Sequence, residues 1–99
     1  MEIKESIESE VTVLSLSGRL DTVTSPQLQT ALQEALQKGH DLKLDFDEIA
    51  YVSSAGLRVL LAGEKNASAS GMTMTLTNVS PDVMEVFEIT GFSNILNII

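Results

Sequence analysis

The sequence contains no cysteine, a single histidine, and only 6 lysine and arginine residues against 14 aspartate and glutamate residues. Each shortage excludes a class of chemistry. Without cysteine there is no disulfide framework, thiolate metal site or cysteine nucleophile. His40 sits in a turn between Gly39 and Asp41, with no second imidazole or thiolate to share a zinc ion. It reads as an ordinary surface residue. The formal charge of −8 opposes direct nucleic-acid binding and adhesion to anionic membranes, because both need a concentrated positive footprint. No apolar run approaches the roughly 20 residues of a membrane span. The opening Met1-Glu2-Ile3-Lys4-Glu5 lacks a secretory apolar core. Absence of membrane insertion and a cytoplasmic location are therefore the default expectations.

What remains is enough for one domain, residues 1–99, with 43% hydrophobic content. Surface scaling expects roughly 5,500 Å² of accessible area when folded, against about 15,500 Å² when extended. A core without covalent staples follows. Val11, Val13, Leu14 and Leu16 predict a strand over 11–17, with a weaker strand upstream around Ile3 and Ile7 and a hairpin turn at Glu8-Ser9-Glu10. Gly18-Arg19-Leu20-Asp21 breaks that pattern. Leu28, Ala31, Leu32, Ala35 and Leu36 recur at helical spacing. Ser25 is the expected N-cap with Pro26 at the first helical position, Thr22 is a competing start, and Gly39 is the stop.

Leu42, Leu44 and Phe46 alternate as a short strand, and Ile49, Tyr51 and Val52 carry apolar character to the junction Ser53-Ser54-Ala55-Gly56. Leu57, Leu60 and Leu61 define a second helix from about Ala55, closed by Gly71. A strand over 72–77 precedes a third helix capped by Ser80-Pro81-Asp82 and ended by Gly91. Ile95, Leu96, Ile98 and Ile99 form a final edge segment. The order β-β-α-β-α-β-α-β implies an α/β layered domain with a mixed sheet, antiparallel in the first hairpin and parallel thereafter.

Catalytic constellations are missing. No glycine run cradles phosphate, and the serines have no histidine–acid partnership. Asp45, Asp47 and Glu48 lack a calcium-loop pattern and read as a solvated acidic rim. An independent enzyme, or a cofactor or metal bound by this chain, is not expected. One local signal survives. Ser53 and Ser54 stand where a strand enters a helix. A hydroxyl there caps an orphan amide, and the same position suits a phosphate.

At this junction the run Asp45-Phe46-Asp47-Glu48-Ile49-Ala50-Tyr51-Val52-Ser53-Ser54-Ala55-Gly56-Leu57-Arg58-Val59-Leu60-Leu61 resembles the central strand, switch loop and helix of the STAS domain family, in its anti-sigma factor antagonist branch. Leu16-Ser17-Gly18-Arg19-Leu20-Asp21 resembles the strand-end motif of the same family. The likeness extends through Val83 to Gly91 and covers nearly the whole chain. It implies a STAS fold and partner switching. In such a mechanism, the unphosphorylated protein binds an anti-sigma factor that is also a serine kinase and so frees the sigma factor. Phosphorylation then weakens the capture. The resemblance places the acceptor on Ser54, with Ser53 as a competing site, and the family aspartate on Asp21. Thr22, Thr24, Ser53, Gly56, Leu57 and Arg58 become candidates for the partner surface. ATP and magnesium would belong to the kinase, and a serine phosphatase is a possible further partner.

Many relatives carry an acid and a second hydroxyl where this chain has Ser53 and Ala55. Asp21 could position the acceptor or engage the kinase, and Arg58 could face a partner acid or plain solvent. The alternative reading is an unphosphorylated STAS-like adaptor of a membrane lipid-transport or sensory complex, with Ser54 as a structural cap.

Overall fold

A computed structural model describes all residues, 1–99. The chain runs β1 (Glu2–Glu8), β2 (Val11–Leu20), α1 (Ser25–Gln37), β3 (Asp41–Val52), α2 (Ser54–Ala69), β4 (Met74–Thr77), α3 (Pro81–Thr90), a 3-10 turn (Phe92–Asn94) and β5 (Asn97–Ile98). One sheet has the order β1-β2-β3-β4-β5. The β1–β2 pair is antiparallel and the others are parallel, as the element order requires. The hairpin turns on Ser9 and Glu10, both at positive φ, which matches the right-handed twist of its strands. The folded accessible area is 5363 Å², close to the scaling expectation.

All three helices cover one face of the sheet. Leu14 pairs in register with Leu44, and Leu44 with Leu76. These residues join Leu28 and Leu32 of α1, Leu57 and Leu60 of α2, and Val83 and Phe87 of α3 in a single core. Phe87 meets Phe46 edge-on, with centroids 6.3 Å apart. The other face is open. It carries two polar rows, Ser6–Val13–Lys43–Thr75 and Lys4–Ser15–Asp45–Thr77, of which only Val13 is buried. Antiparallel sheets commonly leave a face wet, whereas parallel ones seldom do. No helix is long and apolar enough to cross a membrane.

Several expected boundaries move. Strand β2 does not stop at Ser17, because Gly18 at φ +104° absorbs an irregularity and pairing resumes through Leu20. Strand β3 extends to Val52 through two register shifts against β2, one between Ser15 and Ser17 and one between Gly18 and Arg19. Each shift sets one extra residue in β3, so the buried positions after Phe46 are Ile49 and Val52, spaced by three rather than two. Strand β4 starts at Met74, since the Met72 N–H donates to Ala67 O at 2.8 Å and is spent closing α2. The final segment is a two-residue strand after a 3-10 turn.

Candidate functional site

Strands β2, β3 and β4 are parallel, so their C-terminal ends lie along one edge of the domain. The Asp21 loop and the start of α2 meet there. The Ser53 N–H donates to Leu20 O at 2.8 Å, tying the last residue of β2 to the residue before α2.

The loop after β2 is built around Asp21. Its Oδ1 accepts from the N–H groups of Val23 and Thr24, both at 3.0 Å. Its own N–H donates to Thr24 Oγ1 at 2.9 Å, so the two residues cap each other reciprocally, as in a capping box. The Ser25 N–H donates to Asp21 O at 2.8 Å. The expected Ser25 cap is therefore corrected. Ser25 is the first residue of α1 and is buried, with its hydroxyl donating to Asp21 O, and the N-cap is Thr24. The Ser25 N–H already closes a helical turn onto Asp21 O, but the helix starts at Ser25, so the competing start near Thr22 lies two residues before the observed cap.

The Thr24 N–H, above all, holds the Asp21 carboxyl below its ordinary value. Partial desolvation opposes this, while the Thr24 hydroxyl, the Val23 N–H and nearby Arg19 add to it. Arg19 Nε lies 3.7 Å from Asp21 Oδ2, and its guanidinium lies 4.3 Å from the centroid of the Tyr51 ring. Asp21 has no hydrogen bond to Ser54. Its visible work is to shape the loop beside it.

The two serines separate. Ser53 is the N-cap of α2 in an extended conformation, and its hydroxyl accepts from the Gly56 N–H at 3.4 Å. Ser54 is the first helical residue, one position earlier than expected, and it is exposed. Its hydroxyl has no hydrogen-bond partner. Capping and exposure thus fall on neighbouring residues rather than on one.

Thr22 and Arg58 are exposed, and Thr24 is half-buried within the capping pair. Gly56 and Leu57 are not on the surface, which corrects their expected direct contact with a partner. Leu57 is 6% exposed within the core, and Gly56 is buried against Leu20. An open groove of about 300 Å³ runs between α1 and α2 from Thr22 and Pro26 past Ala55 and Arg58 to Ala62. Val23, 86% exposed at the tip of the Asp21 loop, was not singled out from sequence. An apolar residue inside the polar run Asp21-Thr22-Val23-Thr24, outside any helical or strand period, was the available signal.

Of the acids of β3, Asp47 and Glu48 are exposed as a solvated rim requires, and only Asp45 departs from it. Asp45 is half-buried, and its Oδ1 accepts from the Asp47 N–H at 3.0 Å and from Asn78 Nδ2 at 3.1 Å. It clamps the first bulge of β3 to the loop after β4. No three His, Cys, Asp or Glu side chains converge to hold a metal ion. His40 lies beside Thr12 at 3.5 Å.

Comparison with known proteins agrees with this architecture. The family model described as "Mlab, STAS domain" matches residues 3–97. The anti-sigma-B factor antagonist of Listeria monocytogenes is 30% identical over 99% of this chain and 86% of its own length. The fold matches an anti-sigma factor antagonist from Mycobacterium paratuberculosis with a TM-score of 0.88, at 21% identity, over 98% of this chain and 83% of that one. It also matches SpoIIAA solved in both states. The unphosphorylated form gives a TM-score of 0.81 at 22% identity, covering 99% of this chain and 88% of that one. The phosphorylated Bacillus form gives 0.74 at 21% identity, covering 99% and 91%.

Proposed function

The chain belongs to the STAS domain family, and on that footing we propose that it is an anti-sigma factor antagonist switched by phosphorylation of Ser54. The observation that carries the reading is the exposed, unpartnered Ser54 hydroxyl at the first position of α2. A kinase can reach this oxygen without unfolding anything. The unphosphorylated protein binds a serine kinase that is also an anti-sigma factor, and thereby releases the sigma factor.

The kinase supplies ATP, magnesium and the catalytic groups. The Ser54 oxygen attacks the γ-phosphorus, the bond to ADP breaks, and the hydroxyl proton passes to a base of the kinase. A phosphate adds roughly −1.5 to −2 charge. At the start of a helix this charge is tolerated by the fold, so its effect falls on the partner rather than on the domain. A serine phosphatase completes the cycle. Ser53 is disfavoured as acceptor because its oxygen already caps α2.

The test uses the cognate serine kinase with ATP and magnesium, followed by peptide mapping and affinity measurement. Phosphate is expected on Ser54. Ser54→Ala is expected to retain binding and lose regulation, and Ser54→Asp to bind more weakly. Phosphate found only elsewhere would overturn the site. Equal affinity of unmodified protein, phosphoprotein and Ser54→Asp would leave an unregulated adaptor.

A further inference from the structure

Arg58 stands four residues after Ser54 on α2, and both side chains are exposed. Residues at this spacing are neighbours on a helix surface, with Cβ atoms about 5–6 Å apart. Side chains on a helix lean toward its N-terminus, so Arg58 covers the turn that begins at Ser54. The order also matters. An anion preceding a cation by four residues is the favourable arrangement.

Arg58 is uncommitted. None of the three ion pairs of the molecule includes it. It is also the one charged residue lining the groove between α1 and α2. Arg19, the cation at the end of β2, is occupied by the Tyr51 ring and the Asp21 carboxylate. Lys65 lies almost two turns beyond Arg58 on the same helix.

We infer that Arg58 is the intramolecular partner of a phosphate on Ser54, so that modification both adds an anion and withdraws the only cation of the adjoining groove. This rests on the phosphorylation reading above and deepens it. A guanidinium grips phosphate oxygens through paired N–H donors, and the dianion is the form it grips best. The unmodified groove presents a free positive charge to a partner. The modified one presents a neutralised pair with residual negative charge. Phosphorylation would therefore change two features of the surface through one covalent bond.

The test places phosphoserine at position 54 during translation, so it does not depend on any kinase, and follows the phosphate by ³¹P NMR titration. With Arg58 present, the second ionisation of the phosphate is expected about 0.3 pH unit lower than in Arg58→Gln. Arg58→Lys should retain part of the displacement, since it keeps the charge without the planar fork. Raising the salt concentration should bring the unsubstituted protein toward Arg58→Gln. Superimposable titrations of the two proteins at low salt would overturn the proposal, even if the kinase modifies Ser54. Conversely, a kinase that ignores Ser54 would overturn the switch while leaving this measurement intact.

Discussion

Leu20 lies directly over Gly56. A Cβ added to Gly56 would stand 2.6 Å from Leu20 Cγ and 3.0 Å from Leu20 O. The close approach brings the first turn of α2 against the end of β2, so the Asp21 loop and Ser54 share an edge. Neither contact is with a flexible side-chain tip. Gly56→Ala is therefore expected to destabilise the fold by about 1–3 kcal/mol through overpacking. A lowered urea midpoint with an unchanged m-value would report it, and an unchanged midpoint would refute the close packing.

The division of labour between the serines predicts unequal stability effects. Ser53→Ala removes the cap of α2 and should cost about 1 kcal/mol, whereas Ser53→Asp should restore most of it. Ser54→Ala, which removes an unpartnered exposed hydroxyl, should stay within about 0.5 kcal/mol of the parent. Equilibrium unfolding of the three variants decides this, and an equal loss at both positions would contradict the assignment.

Asp21 makes the Val23 and Thr24 cap dependent on pH. Its carboxyl is depressed below 3.8 by the Thr24 N–H foremost, so the folded state favours the ionised form. The stabilisation is present above that ordinary value and is lost as pH falls through the lower folded value. The stability gap between the parent and Asp21→Ala should accordingly be widest above pH 4 and narrow toward pH 2. Thermal melts across that interval would show it, and a gap independent of pH would remove the carboxylate from the cap.

Glu64 has the opposite sign. Its Oε2 is buried without a hydrogen-bond partner, and burial raises its carboxyl above the ordinary 4.5. The folded state then holds a proton more firmly than the unfolded chain. Stability falls as pH rises from about the ordinary value through the raised one, and levels off beyond it. Glu64→Gln should erase that decline and gain relative to the parent at neutral pH. Parallel denaturant titrations at several pH values would reveal it, and matching pH profiles would refute the buried-charge cost.

Much of the architecture was legible because local signals agreed with the global fold. Ser80, Pro81 and Gly91 bracket α3 where expected, with the Ser80 hydroxyl accepting from the Val83 N–H and Gly91 in the left-handed region. The two-residue turn at Ser9 and Glu10 likewise fell within the expected hairpin. The errors cluster where pairing between strands overrides local pattern. The period of β3 changes from two to three only because β2 runs alongside it with fewer residues, and no property of Asp47 or Ala50 alone announces that. At the edge that carries Ser54, the serine pair and a capping role for one of its hydroxyls were visible, but which hydroxyl caps depends on where the helix begins, and the structure gives that role to Ser53. Leu57 was a candidate for the partner surface only through the family resemblance, whereas the helical spacing that groups it with Leu60 already turns it inward, where the structure has it.

The bare side of the sheet divides the molecule into two territories with different tolerances. Lys4 and Lys43 are exposed on the open face of the sheet, opposite the face that the helices cover. A fluorophore, a surface tether or a fused domain attached there would leave the Ser54 edge free. The same separation leaves the exposed positions of those rows, Lys4, Ser6 and Lys43, open to substitution, while Asp45 and Val13 in the same rows are held by the β3 bulge and by burial.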